Sequence, residues 1–520
     1  MSLNEVSPRF ILSLQPVGHI NDGEFKRGGQ QITIPPKLVE IASSNLLEAI
    51  YSSVPEHKRF SFGKLAQDRR VTVNLDGDRF FNKHIGVVGS TGSGKSSTVA
   101  AILQEGIRPS HEQSSSQRLN NSHIIIFDLH SEYSSAFPQA NIYGVNSLQL
   151  PYWLMNSEEL EEMFIESNEQ NSHNQVSQFR NAVILNKQLK NSDIPAHQIS
   201  YDSPLYFSLE EVCNYLYNLN NEVISKKEGE GVPKLSDKTL VYNRKDYYFK
   251  EKLSFVPAST AKADKASNGP FYGEFTRFLM RLEARQNDRR LDFLLRPRTE
   301  EGEEYSSDDA QVVLEQILGY GKNKANVTIL DLGGIPFEVL SVVVSLVARL
   351  IFTFAFHFKK IHVDDENEVP FLLVLEEAHN YISKIEGAKY NSVRKAIERV
   401  AKEGRKYGVS LMIVSQRPSE ISETVFSQCG NFVVMRLTNP TDQNYIQRLL
   451  PDSVRGLTGS LSSLEQREAL VLGESVVLPS LINVNEISDL PRSTDVAFYA
   501  EWKKDWFTDA FEGIIEKWRS

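Results

Sequence analysis

Residues 85–97 read IGVVGSTGSGKSS, which is the most informative segment of the sequence. An apolar strand, Ile85 to Val88, leads into Gly89 to Ser96, which has the pattern GxxxxGK[ST], and a predicted helix, Ser96 to Gln104, follows. Glycines let a backbone wrap phosphate oxygens with its N–H groups, and the amino end of a helix adds favourable partial charge for an anion. The flanking strand and helix argue against a simple glycine-rich turn and predict the phosphate-binding loop of a P-loop ATPase.

This loop carries the first set of predicted ligands. Lys95 is expected to bridge the β- and γ-phosphates of ATP, and the Ser96 hydroxyl is expected to ligate Mg²⁺. The predicted phosphate-binding residues are Gly89, Ser90, Thr91, Gly92, Ser93, Gly94, Lys95, Ser96 and Ser97. ATP and Mg²⁺ are therefore the predicted cofactors.

Two adjacent glutamates follow another apolar strand, Phe371 to Leu375. Strands of a parallel sheet end at one edge, so Glu376 and Glu377 are expected beside the nucleotide. Glu376 is predicted to orient the magnesium shell as a metal ligand, and Glu377 is predicted to be the base that polarises the attacking water. The alternative is a solvated helix start, which the phosphate loop makes the weaker interpretation.

Further polar groups follow strands in the same way. Gln416 comes after the strand Val409 to Ser415 and is predicted to sense the γ-phosphate or hold the water, with a turn or capping role as the alternative. Asp128 and Glu132 also follow a strand. Asp128 is predicted to bind magnesium or its water shell, and the alternative is that it caps the next helix.

One arginine is a candidate for completing the site. ATP hydrolysis needs positive charge at the transition state, and oligomeric ATPases often supply it as an arginine from the neighbouring subunit. The predicted helix Ser392 to Lys406 carries Arg405 near its end, just before the strand that delivers Gln416. Arg405 is therefore the predicted finger. A solvated basic helix end that complements the helix dipole is the alternative.

Apolar runs recur from residue 85 onward at the ends of helical stretches. This pattern indicates strands buried on both faces of a mainly parallel α/β sheet. The runs are Ile85 to Val88, Ile124 to Phe127, Val327 to Leu330, Phe371 to Leu375, Leu411 to Val414 and Phe432 to Met435. We place the ATPase core at residues 81–160 and 325–490. Between its two parts, helical patterns predict an inserted, mainly helical subdomain at residues 161–324.

The two ends of the chain differ from this core. Residues 1–80 contain short β-rich runs, at Phe10 to Leu14, Gln31 to Ile34 and Val71 to Leu75, and predict a small β module. Residues 491–520 predict a C-terminal helix that places several aromatic and apolar side chains near one face. These are Trp502, Trp506, Phe511, Ile514, Ile515 and Trp518. Packing of this face onto its own chain is the preferred interpretation, and docking of a partner is the alternative.

Composition restricts the partners of the chain. Its 57 Lys and Arg against 67 Asp and Glu give a net charge of -10, so DNA contacts must be local. A basic stretch, Arg277 to Arg290, is interleaved with acids, so a salt-bridged surface helix is at least as good an interpretation as a DNA contact. The apolar stretch Pro336 to Phe358 carries charged residues and predicts a buried core helix, not a membrane segment.

Two cysteines without metal-ligand spacing, Cys213 and Cys429, suggest neither a disulfide framework nor a zinc site. The first ten residues lack the basic and apolar regions of a signal peptide. We therefore expect a cytoplasmic protein.

Several motifs, in order, resemble the HerA family of the HerA/FtsK branch of hexameric DNA-translocating ATPases. They are Gly89 to Ser96, Asp128 to Tyr133, Leu150 to Trp153, Glu376 to His379 and Glu403 to Gly408. The resemblance implies a RecA-like core, an N-terminal β-barrel at residues 1–80 and a homohexamer with nucleotide at subunit interfaces and duplex DNA in the central channel. It also implies that Arg405 acts in trans. A basic residue that acts in cis in some relatives would here be Lys83, where lysine lacks the planar fork of arginine.

The resemblance further implies an effector docked on the barrel face, either a nuclease or a sirtuin-like NADase, in DNA processing or antiphage defence. Our leading expectation is a hexameric ATP-driven DNA translocase or helicase that works with such an effector. The alternative is a regulatory or scaffolding ATPase ring that assembles and switches the effector with little translocation, which the acidic net charge and the large insertion favour.

Overall fold

The computed structural model of the chain describes residues 17–21, 24–28, 40–108, 118–165, 172–227, 231–261, 265–299, 301–321, 324–363, 368–384, 391–449, 458–493, 496–506 and 511–519. The predicted β runs Phe10 to Leu14 and Gln31 to Ile34 lie outside these residues.

The described residues contain these strands: β1 Gly18–Asn21, β2 Glu24–Arg27, β3 Arg59–Phe60, β4 Gly63–Leu65, β5 Leu75–Asp76, β6 Ile85–Val88, β7 His123–Asp128, β8 Asn141–Tyr143, β9 Val223–Ser225, β10 Ala266–Asn268, β11 Val327–Asp331, β12 Phe371–Leu375, β13 Val409–Ser415, β14 Asn431–Val434, β15 Glu468–Gly473 and β16 Ser480–Val484. Their helices are α1 Ser44–Tyr51, α2 Gly77–Asn82, α3 Lys95–Ile107, α4 Ser157–Phe164, α5 Ser172–Lys190, α6 Leu209–Asn221, α7 Arg244–Tyr248, α8 Thr276–Gln286, α9 Asp292–Leu295, α10 Ala310–Leu318, α11 Phe337–Ile361, α12 Asn391–Glu403, α13 Glu423–Phe426, α14 Pro440–Leu449, α15 Phe498–Glu501 and α16 Phe511–Arg519.

One ten-stranded sheet organises the molecule, in the order β4-β16-β15-β14-β6-β13-β12-β7-β11-β8. The strands from β14 to β8 run parallel, whereas β15, β16 and β4 extend the sheet by antiparallel pairs. All six apolar runs singled out from the sequence are strands of this sheet. The predicted α/β class with a mainly parallel sheet is confirmed.

Successive side chains of the central strands point to opposite faces, and each face has its own core. On one face, residues such as Val87, Ile126 and Val374 pack with helix α3. On the other, residues such as Phe127, Leu373 and Ile413 pack with α11 and α12. Burial on both faces explains why these strands read as continuous apolar runs.

Helix α11 is the long apolar helix predicted from the sequence. It is long and apolar enough to cross a membrane by length and composition, and 78% of its most apolar window is buried inside the protein. Its Arg349 pairs with the buried carboxylate of Glu159 at 2.7 Å. The prediction of a buried core helix is therefore confirmed.

Between β8 and β11 the described residues form α4 to α10 and the two-stranded ribbon of β9 and β10. Buried residues of α5, α6 and α8 belong to the same hydrophobic core as α11. In the basic stretch, Arg285 pairs with Glu338, and Arg290 pairs with Asp288. The salt-bridged interpretation of these two arginines is the one that the structure supports.

Residues before the phosphate loop join the main core. Strand β4 pairs with β16 at one edge of the sheet, and Phe60, Phe62 and Phe80 pack together in the core that also contains α3. Strands β1 and β2 form a separate hairpin. An N-terminal barrel over residues 1–80 stays a prediction.

The C-terminal prediction of one helix packed onto its own chain is wrong. Helices α15 and α16 are separate, because residues 502–506 between them are not helical. The aromatic side chains are exposed, and Trp506 reaches 95% exposure. Helical periodicity shows neither a break in a helix nor whether the described part of the chain covers its apolar side chains.

Candidate active site

The phosphate loop is built as its sequence requires. Gly94, with φ of 95°, takes the left-handed conformation at the cap of α3, and the helix begins at Lys95. A Cβ on Gly89 would lie 2.5 Å from the Ser93 hydroxyl and 2.9 Å from the Met435 side chain. Gly94 is favoured because its φ is positive, and Gly89 is favoured because a side chain there would clash with Ser93 and Met435.

The loop presents polar groups suited to phosphate. Lys95 is buried, with Nζ 3.5 Å from the Ser90 carbonyl oxygen. The Ser93 hydroxyl is buried and makes no hydrogen bond to the described part of the chain. The Ser90 N–H donates to the carbonyl of Arg436, at 2.7 Å, which ties the loop to the chain leaving β14. A buried lysine and an unsatisfied hydroxyl at a helix amino end fit the binding of a nucleotide phosphate.

Glu376 directly follows β12 and is buried. The Tyr133 hydroxyl donates to its Oε2 at 2.7 Å. Burial raises the pKa of Glu376 to about 8, although the Tyr133 hydrogen bond and Lys95 favour its charged form. The structure therefore places Glu376 in the centre of the site, with its charge sensitive to any cation that binds there.

Oxygen ligands suited to Mg²⁺ lie at and near Ser96. Burial raises the pKa of the Glu132 carboxylate, whereas the Ser96 hydroxyl favours its charged form. The described residues hold no cluster of three His, Cys, Asp or Glu side chains that could bind a metal alone. Mg²⁺ in nucleotide sites usually takes one or two protein oxygens and completes its shell with phosphate oxygens and water. Ser96 with Glu376 or Glu132 fits that arrangement.

Asp128 accepts backbone N–H groups of the turn that follows β7, whereas the N-cap of the next 3₁₀ helix, Tyr133–Ser135, is Glu132. Asp128 Oδ1 accepts the N–H groups of His130 and Glu132 at 3.2 Å, and its Oδ2 accepts the N–H of Tyr133 at 2.9 Å. Burial nevertheless raises its pKa. Asp128 shapes the turn that delivers Glu132 and Tyr133, and its metal-binding role stays a prediction.

Glu377 lies directly after Glu376 in a left-handed backbone conformation, with φ of 45° and ψ of 45°. Its side chain is nearly buried, and its Oε2 lies 3.2 Å from His379 Nδ1. Non-glycine residues adopt this conformation at a cost and are common in functional sites. The turn thus holds the predicted base at the carboxyl edge of the sheet.

Gln416 lies at the same edge. Its Oε1 accepts a hydrogen bond from the Thr91 hydroxyl of the phosphate loop at 2.6 Å. The structure therefore brings together the loop, the glutamate pair and Gln416, as their positions after parallel strands implied.

Arg405 lies elsewhere. It is exposed in a short 3₁₀ turn, Gly404–Tyr407, that precedes the amino end of β13, and its charge acts on His84 at the amino end of β6. The seven residues of β13 separate it from Gln416 by roughly 20 Å. Arg405 cannot reach the phosphate loop of its own chain.

Lys83 also lies at the amino edge, where it pairs with Glu474 at 3.0 Å. The β6 strand separates it from the phosphate loop. A direct role of Lys83 at its own nucleotide site does not fit this position.

Sequence reasoning missed Tyr133 and His379. Both lie inside quoted motifs, since Tyr133 ends the segment that begins at Asp128 and His379 closes the one that begins at Glu376. Their contacts join residues across strands or across a left-handed turn, and spacing alone does not reveal such contacts.

A phosphate loop and paired glutamates at the carboxyl edge of a mainly parallel sheet define a P-loop ATPase. Residues 60–351 match the family model described as "Helicase HerA, central domain". Because this match covers more than half of the 520 residues, the chain belongs to the HerA family.

Two relatives illustrate the extent of the similarity. The chain is 25% identical over 511 residues to the "DNA double-strand break repair helicase HerA" of Sulfolobus acidocaldarius, covering 96% of this chain and 82% of the relative. It is 23% identical over 534 residues to the "Probable DNA double-strand break repair helicase HerA" of Methanocaldococcus jannaschii, covering 96% and 90%.

Among solved structures, VirB4 of Thermoanaerobacter pseudethanolicus superposes with a TM-score of 0.52 and 13% identity, covering 84% of this chain and 98% of that one. At this identity the likeness concerns the fold alone.

Proposed function

We propose that the chain forms a homohexameric ring that hydrolyses ATP between subunits and uses the cycle to translocate DNA. The observation that carries this proposal is the separation of Arg405 from the phosphate loop of its own chain. An exposed arginine at the opposite edge of the sheet is suited to complete the site of a neighbour. A cyclic assembly lets every subunit give one arginine and receive one.

In the proposed hydrolysis step, the loop N–H groups and Lys95 bind the phosphates and orient the γ-phosphate for in-line attack. Mg²⁺, held by the Ser96 hydroxyl, would supply charge that offsets the phosphate oxygens. Glu377 accepts the proton of the attacking water, and Gln416 holds the water or the γ-phosphate in place. The arginine of the neighbour stabilises the charge of the transition state.

DNA is the proposed substrate of the motor because relatives carry the printed name of DNA double-strand break repair helicase. The net charge of -10 argues against a broadly basic exterior. We place duplex DNA in the central channel, where contacts are local.

We further propose that an effector, a nuclease or a sirtuin-like NADase, docks on an N-terminal barrel face, in the cytoplasm, for DNA processing or antiphage defence. This part rests on the family resemblance.

The test measures ATP hydrolysis and the displacement of a triplex-forming oligonucleotide from duplex DNA, with and without Mg²⁺. Duplex DNA should stimulate hydrolysis, binding should weaken with salt, and displacement should require ATP. Hydrolysis that is indifferent to duplex DNA, together with no salt-sensitive DNA binding, would reject translocation.

A regulatory ring is the second candidate, since the pairing of Arg285 and Arg290 with acids leaves fewer free cations for DNA. The Lys95→Ala variant, assayed with the effector, distinguishes a regulatory ring from a DNA translocase. If translocation is absent while effector activity still depends on Lys95, the ring is regulatory.

A further inference from the structure

The turn after β12 brings His379 back against Glu377. The Asn380 N–H donates to the Glu377 carbonyl at 2.9 Å, and the Tyr381 hydroxyl donates to the Glu376 carbonyl at 2.8 Å. These bonds stabilise the left-handed conformation at Glu377. The imidazole of His379 therefore lies beside the carboxylate two residues before it.

His379 Nδ1 has two neighbours. Glu377 Oε2 and the Ser415 hydroxyl each lie 3.2 Å from it. The Ser415 oxygen already accepts the N–H of Arg417 at 3.0 Å, and a carboxylate is the stronger acceptor. Burial lowers the pKa of His379, which leaves a neutral ring with one N–H. The contact with Glu377 favours the tautomer that carries this proton on Nδ1.

The Glu377 oxygen beside His379 needs a hydrogen-bond donor. This oxygen, Oε2, is buried, and it has no well-aligned hydrogen bond among the described residues. Catalytic hydrogen bonds are often long or misaligned before the substrate binds and tighten in the complex. His379 is thus placed to fix the orientation of the carboxylate once water and nucleotide fill the site.

We propose that His379 is a positioning residue for hydrolysis: its Nδ1–H holds the Glu377 carboxylate so that Oε1 faces the attacking water. As the water oxygen bonds to the γ-phosphorus, the bond to the β,γ-bridging oxygen breaks, ADP leaves with that electron pair, and Glu377 takes the water proton. His379 changes neither charge nor bonds in this step. The inference rests on the proposed role of Glu377 as the base.

The contact with Ser415 gives the same imidazole a link to β13. Ser415 is the last residue of that strand, and Gln416, which contacts the phosphate loop through Thr91, follows it. The ring therefore touches both the candidate base and the strand that carries the candidate sensor. Both contacts are made by the same nitrogen, Nδ1, and the carboxylate is the stronger acceptor, so the Ser415 hydroxyl is of secondary importance.

The experiment compares His379→Asn with His379→Leu in the full-length protein. The two new side chains have similar size, but only asparagine has an amide nitrogen near the position of Nδ1. His379→Leu should lower kcat for ATP hydrolysis about tenfold and leave KM within about twofold. The reason is that the variant loses the orientation of the Glu377 carboxylate and keeps the contacts that bind ATP. His379→Asn should retain at least about half of the wild-type kcat.

A third variant guards against misfolding. His379→Gln carries its amide near the Nε2 position, so it should behave like His379→Leu and replaces it if the leucine variant does not fold. Ser415→Ala should keep kcat within about twofold of wild type. A wild-type kcat in the leucine or glutamine variant overturns the inference. If His379→Asn loses as much kcat as His379→Leu, the inference is also overturned. It is likewise overturned if the substitutions change KM alone.

Glu377→Gln separates this inference from the proposed function. If that variant hydrolyses ATP at the wild-type rate, the proposed base is wrong, and the positioning role falls with it. If it is inactive while His379→Leu is fully active, only the positioning role falls. The failure of DNA translocation in a chain that hydrolyses ATP would remove the motor and leave this inference standing.

Discussion

The two edges of the central sheet differ in what they expose. At the carboxyl edge, Lys95, Glu376 and Glu377 are buried. The Tyr133 hydroxyl donates to Glu376 at 2.7 Å, and His379 Nδ1 lies 3.2 Å from Glu377 Oε2. At the amino edge, Arg405 extends into solvent beside the buried ring of His84. One edge has the form of a nucleotide site, and the other exposes an arginine that is remote from the nucleotide site of its own chain.

This difference is the one that the proposed arginine in trans requires. A buried, pre-arranged set of acids and donors suits the chemistry of hydrolysis, because preorganised groups act most strongly away from water. An arginine that has to enter another chain's site must start exposed. We expect the substitutions at Arg405, Lys95, His84 and Lys83 to have effects that decrease in that order.

Removing the exposed cation should have the largest effect. Arg405→Ala should lower ATP hydrolysis by about 1,000-fold or more and leave nucleotide affinity within a few-fold, since a trans arginine acts on the transition state. Arg399→Ala, which alters another exposed arginine on the preceding helix, is the matched control. If Arg405→Ala hydrolyses ATP normally, the amino edge has no part in the reaction.

Removing the cation of the carboxyl edge should have the next effect. Lys95→Ala should lower hydrolysis by about 100-fold or more, because a charged donor to the phosphates is lost. Mixing this variant with Arg405→Ala should then restore activity at about a quarter of the sites, where an intact loop meets an intact arginine. Steady-state hydrolysis of the mixed rings measures this, and no recovery on mixing would mean that both residues serve the same chain.

His84 gives the amino edge a dependence on pH. Its Nε2 donates to the Ala401 carbonyl and its Nδ1 accepts the Leu411 N–H, each at 3.0 Å, and burial lowers its pKa to about 4. His84 binds a proton more readily in the unfolded chain than in the folded one. The contribution of neutral His84 to the free energy of unfolding is therefore complete above about pH 6.5 and is lost as the pH falls toward 4. The loss should be on the order of 3 kcal/mol at most.

The urea midpoint at pH 7 and at pH 4.5, in wild type and in His84→Gln, tests this expectation. Acid should lower the midpoint more in wild type than in the variant. Equal shifts would show that the turn bearing Arg405 is held without the neutral histidine.

The smallest effect is expected at Lys83. Lys83→Ala removes a partly exposed ion pair with Glu474, so stability should fall by less than about 1 kcal/mol and hydrolysis should stay within about twofold. Thermal unfolding and ATP turnover check this. A large loss of ATP turnover in Lys83→Ala would show that Lys83 acts in hydrolysis, and the amino edge would then also contribute to the reaction.

The sequence was informative wherever position along a parallel strand determines position in space. Glu376 and Gln416 each follow a buried apolar run, and parallel strands bring such residues to one edge. The apolar runs themselves were recognisable because both faces of the sheet are covered. The class of fold and the grouping of these residues could therefore be predicted.

The contacts of Tyr133 and His379 could not be predicted, because they depend on backbone conformations that the residue types alone do not determine. The Tyr133 hydroxyl reaches Glu376 because Asp128 draws three N–H groups into a turn, and His379 reaches Glu377 because a glutamate accepts positive φ. Trp506 is exposed among the described residues, and an apolar periodicity does not show whether such a side chain is covered.

The position of β6 also determines when this site can come into existence. Residues 85–88 lie between β13 and β14, whose partners in the register end at residue 434. More than 300 residues must leave the ribosome before the strand that bears the phosphate loop has both neighbours, and pairing over such separations is slow. A nascent or truncated chain that ends before residue 409 carries the loop sequence without the sheet that shapes it, and it should bind no nucleotide.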